Sequence, residues 1–318
     1  MHTVHFDDDA EIIDIRYDKA FKAVFTRDTE RSNRALSGLL SACIGGSLSV
    51  VSLTANEPPA DSPRDRHIRY DIACRFHDGE LADVEMTLYP KPDEEPREEY
   101  YAARLFSAQD IRGSEVDYLE LKNIYQINIL AGGLRYKDKD IVHSFNFHDP
   151  QHNLSFNGRM HIITVELEKA EEAAREKTVE EMTPAESWAV FLRYHTEKGK
   201  RTLVNAILEA REDIAMVGKN MLEFTEKELE WFHNESKLKY ELDMQAELYR
   251  AKRAAKAEGL AEGLAEGLAE GLATGQKQSE EKAEQKKRES ARMMKAEGLS
   301  HEQISRFTGL STDEIARL

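Results

Sequence analysis

Apolar residues near the start of the chain recur three or four positions apart. Over residues 18–44 this spacing predicts two helices separated by a short break near Arg27. Gly45 and Gly46 predict the end of the second helix. Residues 48–53 then predict a short strand, and a loop rich in Pro and Asp follows over residues 56–66.

The next two segments alternate apolar and polar residues, as strands with one buried face do. They cover residues 67–76 and 81–88, and positions 83, 85 and 87 form the polar face of the second segment. A two-residue turn between them would set the polar face of one strand against the apolar face of the other. A three-residue loop at residues 77–79 instead brings both polar faces together and sets Asp71 opposite Glu85.

The remaining pattern predicts an α/β core that is followed by helices. Residues 97–113 have helical spacing, and residues 122–130, 141–147 and 160–167 are typical of further strands. We therefore divide the chain into four parts. These are a core domain over 1–177, a helical subdomain over 178–222, a long charged helix over 223–290 and a tail over 291–318.

An Ala-Glu-Gly-Leu repeat occupies the long charged helix, with copies starting at Ala257, Ala261, Ala265 and Ala269. A four-residue step turns a helix by about 400°, so the leucines drift by about 40° per repeat. Each Gly also costs about 1 kcal/mol relative to Ala. We interpret the repeat as a helical spacer that is a candidate for self-association.

The tail predicts two short helices joined at Gly309, because Ser300 and Ser311 stand at helix N-cap positions. This is a helix-turn-helix-like hairpin. Three functions remain open for this hairpin. It could bind DNA, dock a partner, or only close the end of the helical arm, which is the long charged helix over 223–290.

Charge and cysteine content narrow the class of protein. The formal net charge of −16 argues against a surface coated with basic residues, but a local basic groove around an acidic metal site stays compatible with it. No apolar run approaches the roughly 20 residues of a membrane helix, and the acidic N-terminus lacks a secretory signal. Cys43 and Cys74 form neither a disulfide framework nor a zinc motif, so we expect a cytoplasmic protein.

The two opposed carboxylates carry the candidate chemistry. Asp71 and Glu85 on paired strands would have Cβ atoms about 5 Å apart, a distance at which they repel each other unless a cation lies between them. Carboxylate oxygens suit Mg²⁺ or Mn²⁺, which activate water for attack on a phosphate. The alternative is that both are solvated side chains on an exposed sheet face, neutralised by Arg69 and Arg75.

A set of motifs in order resembles a known family. The set is D-x-x-F-K-x-x-F at 18–25, R-Y-D at 69–71, V-E-M-T at 84–87, and a Tyr-rich helix with Arg104 and Gly113. It resembles the recombination-promoting nuclease family, also described as transposases, of the PD-(D/E)xK nuclease superfamily. The resemblance covers roughly residues 14–175, and the Ala-Glu-Gly repeat and the tail resemble the C-terminal arms of these proteins. It implies a restriction-endonuclease-like α/β core with a helical C-terminal extension.

The resemblance also implies roles for individual residues. Asp71 would be the metal-binding aspartate, Glu85 the acidic residue of the D/E-x-K element, and the carbonyl of Met86 a further metal ligand. Asp18 on the first helix would hold metal-bound water. Lys22, one turn later, would contact a phosphate.

Thr87 departs from the family pattern, which has Lys in the superfamily and commonly Gln in this branch. A hydroxyl can position water, but it supplies neither positive charge nor a base near neutral pH. Three outcomes stay open. Either Lys22 or Lys122 supplies the charge from another element, or the protein cleaves slowly, or it does not cleave.

The sequence therefore favours a cytoplasmic Mg²⁺- or Mn²⁺-dependent DNA endonuclease, linked to recombination or transposition. Its partners would be DNA and, through the helical arm, further copies of the chain. A catalytically weakened or inactive module that acts in DNA binding or assembly is the alternative. A third hypothesis is a structural protein whose function lies in the repeat arm.

Overall fold

The computed structural model describes residues 4–27, 29–55, 57, 68–91, 93–109, 117–156 and 158–318. They fall into two compact units, Met1–Lys239 and Tyr240–Leu318. Most of the predicted loop at 56–66 lies outside the described residues, as do His67 at the start of the first alternating segment and Gly113.

The described residues form eight strands, and six of them build one mixed sheet. The strands are β1 (Val50–Leu53), β2 (Ile72–Phe76), β3 (Leu81–Thr87), β4 (Ile124–Leu130), β5 (Val142–Phe145), β6 (His148–Asp149), β7 (Leu154–Ser155) and β8 (Met160–Glu166). The order across the sheet is β1-β2-β3-β4-β8-β5, and β6 pairs with β7 separately. Strands β3, β4 and β8 run parallel at the centre, while β1–β2, β2–β3 and β5–β8 are antiparallel pairs.

The β2–β3 hairpin has the predicted register. Ile72 pairs with Val84 and Arg75 with Leu81, which is the pairing that a three-residue loop requires. Gly79 supplies the left-handed backbone of that loop, with φ of +90°. Continuing the same register by one residue sets Asp71 opposite Glu85, so this prediction is confirmed.

Strand β2 is shorter than the alternating segment, because it begins at Ile72 rather than near residue 67. The backbone donors just beyond the ladder bind side chains instead. The amide of Asp71 donates to Glu85, and the amide of Met86 donates to Asp71. Carboxylate oxygens thus replace the carbonyl acceptors that would have extended the strand.

Ten α-helices accompany the strands in the described residues. They are α1 (Asp18–Phe25), α2 (Glu30–Ile44), α3 (Glu94–Ser107), α4 (Ala170–Glu176), α5 (Pro184–Tyr194), α6 (Arg201–Ala210), α7 (Glu212–Leu222), α8 (Glu226–Ala296), α9 (His301–Thr308) and α10 (Thr312–Arg317). The break between the first two helices occurs where predicted, and Thr29 caps α2 by accepting from the amide of Ser32. The sequence pattern did not indicate α4, whose buried residues are two alanines that give little apolar signal.

The two faces of the sheet have different partners. Val84 and Met86 on β3 join the main core with residues of α1, α2 and α5. The opposite face, which carries Asp83 and Glu85, is covered by α3, where Ala102 and Leu105 belong to a second apolar cluster. The polar face is therefore buried beneath a helix rather than open to solvent.

The second unit has its own small core. Ile304, Leu310 and Ile315 from the tail pack with Ala291 of α8. Ser300 and Ser311 each form a complete capping box, and Gly309 ends α9 with φ of +74°, as the tail pattern predicts. Helix α8 continues through the repeat, and its leucines at 260, 264, 268 and 272 are 59–75% exposed.

The predicted fold class is confirmed: the chain is α/β, with a six-stranded mixed sheet and a helical C-terminal extension. Among the described residues, we find no helix with both the length and the apolar content required to cross a membrane.

Candidate active site

Asp71 and Glu85 hold each other through reciprocal bonds at the end of the hairpin. The Asp71 amide donates to Oε1 of Glu85 at 2.9 Å, and the Met86 amide donates to Oδ2 of Asp71 at 3.2 Å. Each carboxylate is thereby fixed by the backbone of the other strand. Their side chains are 15% and 6% exposed, which places both at the border between solvent and core.

Helix α1 adds a third carboxylate and a cation to the pair. Lys22 Nζ lies 2.7 Å from Oδ1 of Asp18 and 2.9 Å from Oδ1 of Asp71. Phe21 and Phe25, both fully buried, anchor the other face of the helix in the core. Burial alone would lower the pKa of Lys22, but the negative charges of Asp71 and Asp18 have the larger effect. The pKa of Lys22 is therefore raised above its usual value.

A second cation approaches from α3. Arg97 donates to Oε2 of Glu85 at 2.8 Å and to Glu94 at 2.6 Å, and its guanidinium lies 4.6 Å from the ring centroid of Tyr101. Burial opposes its charge, but Glu85 and Tyr101 outweigh that effect and raise its pKa. Glu85 is thus bound on one oxygen by the hairpin backbone and on the other by α3.

The acidic groups of the site are shifted toward their protonated forms. Burial raises the pKa of Glu85 to about 7, with the charge of Asp71 adding to the shift and that of Arg97 opposing it. Burial also raises the pKa of Asp71, against the influence of Lys22. Crowded carboxylates with little water around them make a site that attracts cations.

Beneath α3, further polar side chains continue from Glu85 across the sheet. Asp83 is fully buried and accepts from Nε2 of Gln126 at 2.8 Å, and the same nitrogen lies 3.3 Å from Oδ1 of Asn128. Burial raises the pKa of Asp83 well above its usual value, and Glu85 adds to this shift. Oδ1 of Asp83 and Oε1 of Gln126 have no hydrogen-bond partner among the described residues.

The two lysines that could replace the missing third residue lie in different places. Thr87, half-buried at the C-terminal end of β3, pairs with Leu130, and its backbone carbonyl accepts from Ala131. Lys122 precedes β4 at the opposite end of these parallel strands. Thr87 pairs with Leu130, and Lys122 precedes Leu130 by eight residues, so at about 3.3 Å per residue Lys122 is roughly 26 Å from Thr87. The geometry therefore brings Lys22, and not Lys122, to the carboxylates.

The alternative of an exposed, arginine-neutralised face is wrong. Arg69 pairs with Glu57, and Arg75 donates to the carbonyl of Gly79 at 3.4 Å. Asp71 and Glu85 are instead buried and have Lys22 and Arg97 as their cationic partners.

Sequence reasoning did not single out Arg97 or the amides on β4. On α3, Arg97 stands among four glutamates, a pattern that is usual on a solvated helix face. Gln126 and Asn128 lie within an otherwise apolar strand. Their alternation with Ile127 and Ile129 was the available signal for a polar face at this point.

The donor set fits a hard divalent cation. Asp18 and Asp71 present carboxylate oxygens to the Lys22 ammonium, and Glu85 presents one to the Arg97 guanidinium, so a cationic side chain already stands against each of these three groups. In the described part of the chain, no group of three or more His, Cys, Asp or Glu side chains is already arranged to hold a metal ion. Binding one therefore requires Lys22 and Arg97 to move.

Comparison with known proteins identifies the family. A model of the family described as "PD-(D/E)XK nuclease family transposase" matches residues 15–251, about three quarters of the chain. The match includes α1, the hairpin and α3, which are the elements of the site. Searches of curated proteins and of solved structures gave no significant match. On the extent of this match, the chain belongs to the PD-(D/E)XK nuclease family of transposases.

Proposed function

We propose that the protein is a Mg²⁺- or Mn²⁺-dependent endonuclease that hydrolyses phosphodiesters of DNA with a metal-activated water. The observation that carries the proposal is the reciprocal bonding of Asp71 and Glu85, which fixes two buried carboxylates beside one cation. An isolated buried pair of this kind is unfavourable without a neutralising cation. Membership of a nuclease family supports the same reading.

Asp71, Glu85 and the Met86 carbonyl are the residues that we assign to the metal. The Met86 amide points to Asp71, and in a strand the carbonyl of a residue points to the same side as its amide. This carbonyl is therefore turned toward the same edge as the carboxylates. A bound ion would acidify a water molecule and stabilise the charge that builds up on the phosphate.

The remaining residues act around that centre. We assign Asp18 to hold a metal-bound water and the Thr87 hydroxyl to orient one. Lys22 exchanges its carboxylate partners for a phosphate oxygen and so supplies the positive charge that Thr87 lacks. Arg97 releases Glu85 and stays on α3 through Glu94 and Tyr101.

Nicking of supercoiled plasmid with Mg²⁺ or Mn²⁺ tests the proposal. Glu85→Gln keeps the shape of the side chain but loses its charge, and we expect nicking to fall about 100-fold or more, since metal ions supply several kcal/mol. Glu85→Ala should lose at least as much. The control is Glu209→Ala, a change of an exposed glutamate on α6. Equal nicking by wild type and both Glu85 variants would end the proposal.

A second candidate is a catalytically weakened or inactive module that keeps the fold for DNA binding or assembly. The favouring observation is that Lys22 and Arg97 already neutralise the acidic cluster without a metal. Introducing the family residue with Thr87→Lys or Thr87→Gln distinguishes a weakened enzyme from an inactive module. A gain of nicking indicates a weakened enzyme, whereas absence of Mn²⁺ binding by wild type favours the module.

Further parts of the proposal concern the biological role, the location, the domain boundaries and self-association. We propose a role in recombination or transposition from the family, and a cytoplasmic location from the free, buried Cys43 and Cys74, which suit a reducing compartment. We also propose that the chain is divided into domains after residues 177, 222 and 290. Self-association is assigned to the helical arm. Removing residues 240–318 should lower the molar mass measured by light scattering to that of a monomer. An unchanged oligomeric state would exclude the arm.

A further inference from the structure

A cleft lined by basic side chains lies outside the site described above. It is bounded by the residues after α1, the start of α2 and helix α7, and its volume is about 420 Å³. Four cationic side chains line it, namely Arg27, Arg31, Arg34 and Lys219. We call it the α2–α7 cleft.

The charge of the cleft contrasts with that of the chain. Its lining has four cationic side chains and two carboxylates, Glu30 and Glu223, in a protein whose formal net charge is −16. Lys219 is half-buried and has no ion-pair partner among the described residues. A half-buried lysine without an ion-pair partner, next to three guanidinium groups, attracts anions.

A buried side chain makes the cleft wall rigid. Asn220 is 2% exposed, and its amide nitrogen donates to the carbonyl of Val24 at 2.8 Å and to Oγ of Ser32 at 3.2 Å. Its oxygen lies 3.4 Å from Nη1 of Arg31. One asparagine on α7 thus joins α1, α2 and an arginine of the cleft.

The arginines can exchange their present partners at little cost. Glu228, Glu223 and Glu212 pair with Arg27, Arg31 and Arg34 respectively, and these glutamates are 40–63% exposed. Exposed ion pairs contribute little to stability, because solvent screens both charges. A phosphate group can accept two hydrogen bonds from one guanidinium group in a bidentate geometry. Each of the present ion pairs uses a single carboxylate oxygen and does not provide that geometry.

Helix α1 connects the cleft to the candidate active site. Lys22 lies on α1, and Arg27 follows five residues later. Arg27 lies two residues beyond the end of this helix at Phe25. At about 1.5 Å per residue within the helix and at most about 3.6 Å per residue beyond it, the two Cα atoms lie no more than about 12 Å apart, which is three to four nucleotide steps of about 3.4 Å in duplex DNA.

We propose that the α2–α7 cleft binds the sugar–phosphate backbone of DNA on one flank of the phosphate to be cleaved. The inference rests on the proposed function, because it takes the same substrate. The cleft contacts phosphates alone and adds affinity without reading bases. It gives this acidic protein the local basic surface that DNA binding requires.

DNA binding without cleavage tests the cleft. The full-length double variant Lys219→Gln, Arg34→Gln is compared with wild type in EDTA, by fluorescence anisotropy of a labelled duplex over a range of salt concentrations. The slope of log K against log salt is negative, and each lost phosphate contact reduces its magnitude by about 1. We therefore expect the magnitude to be smaller by about 2 in the double variant. The matched control is Lys139→Gln, Arg175→Gln, which removes the same charge from exposed positions that pair with Glu172 and Glu176. This control should keep the wild-type slope.

Two results would overturn the proposal. One is a cleft variant with the slope of wild type or of the control. The other is inorganic phosphate that binds the cleft at submillimolar concentration, in a Lys219-dependent way, while DNA binding is unaffected by the variant. That result would assign the cleft to a small free anion.

The outcome is separable from that of the proposed function. DNA binding is measured in EDTA, where no metal-dependent cleavage takes place, so it does not depend on nuclease activity. If the cleft variant shows the weaker salt dependence and wild type does not nick plasmid, the cleft proposal stands and the endonuclease proposal fails. If wild type nicks and the cleft variant binds and nicks equally well, only the cleft proposal fails.

Discussion

The ammonium of Lys22 lies 2.9 Å from Oδ1 of Asp71 and joins α1 to the end of the β2–β3 hairpin. The two residues are far apart in the chain and on elements of different type. In the proposed site, where Thr87 would take the third position of the family element, this contact supplies a positive charge from a helix. It also makes the folded state sensitive to anything that competes for the carboxylates.

The first prediction concerns Lys22 and metal. In Lys22→Gln, Asp18 and Asp71 face each other without a counter-charge. We expect the free energy of unfolding to fall by about 1–3 kcal/mol at neutral pH, because this partly buried pair loses one partner. Mn²⁺ should restore the loss by binding the folded state, so its stabilising effect is larger in the variant than in wild type.

Urea unfolding with and without Mn²⁺ measures both effects. Lys139→Gln, which removes an 80% exposed lysine paired with Glu172, is the control and should leave the free energy of unfolding close to that of wild type. A Lys22 variant that gains no more from Mn²⁺ than wild type does would contradict the metal assignment.

The second prediction concerns pH in the absence of metal. The pKa of Glu85 is about 7 in the folded state against 4.5 ordinarily. Between these values the folded state holds a proton that the unfolded state has lost. The free energy of unfolding should therefore be highest below about pH 4.5, fall as pH rises to about 7, and lose nothing more above it on this account. Glu85→Gln, which stays neutral, should show a flatter dependence over the same window. Equal slopes in urea titrations would refute the shift.

The third prediction concerns Asp83 under α3. Its raised pKa indicates that the fold favours a neutral group at this position. Asp83→Asn keeps the shape and should change the free energy of unfolding by about 1 kcal/mol or less. Asp83→Ala removes the shorter of the two hydrogen bonds that Nε2 of Gln126 donates and should cost about 1–3 kcal/mol. Chemical denaturation compares the two, and equal losses would contradict a specific role for the Gln126 contact.

The fourth prediction concerns the tail. Gly309 has φ of +74°, which disfavours a side chain, so Gly309→Ala should destabilise the tail hairpin by about 1 kcal/mol. Gly275→Ala is the matched control. It lies within α8 with no heavy atom within 4 Å of the added Cβ, and it should stabilise the helix by up to about 1 kcal/mol. Hydrogen exchange of residues 300–317 reports the first change. Two results would contradict the assignment. They are faster exchange of these residues in the Gly275 variant, or exchange in the Gly309 variant that is no faster than in wild type.

Local pattern was sufficient for much of the fold. The alternation on either side of Gly79 gave the hairpin and its register, because of the two-residue and three-residue loops only the three-residue loop aligns the polar faces. Serine N-caps at 300 and 311 gave the tail helices, because capping depends on residues within one turn. The weakly apolar α4 lacked such a signal.

The sequence by itself determined which strand face is polar, that Asp71 faces Glu85, and the family motifs in their order. Only the tertiary structure decided that α3 buries this face, that Arg97 binds Glu85, and that Lys22 rather than Lys122 reaches the carboxylates. The reason is physical. Register follows from neighbours along two adjacent strands, whereas the packing of α1 and α3 on the sheet depends on residues far apart in the chain, whose spacing carries no local period.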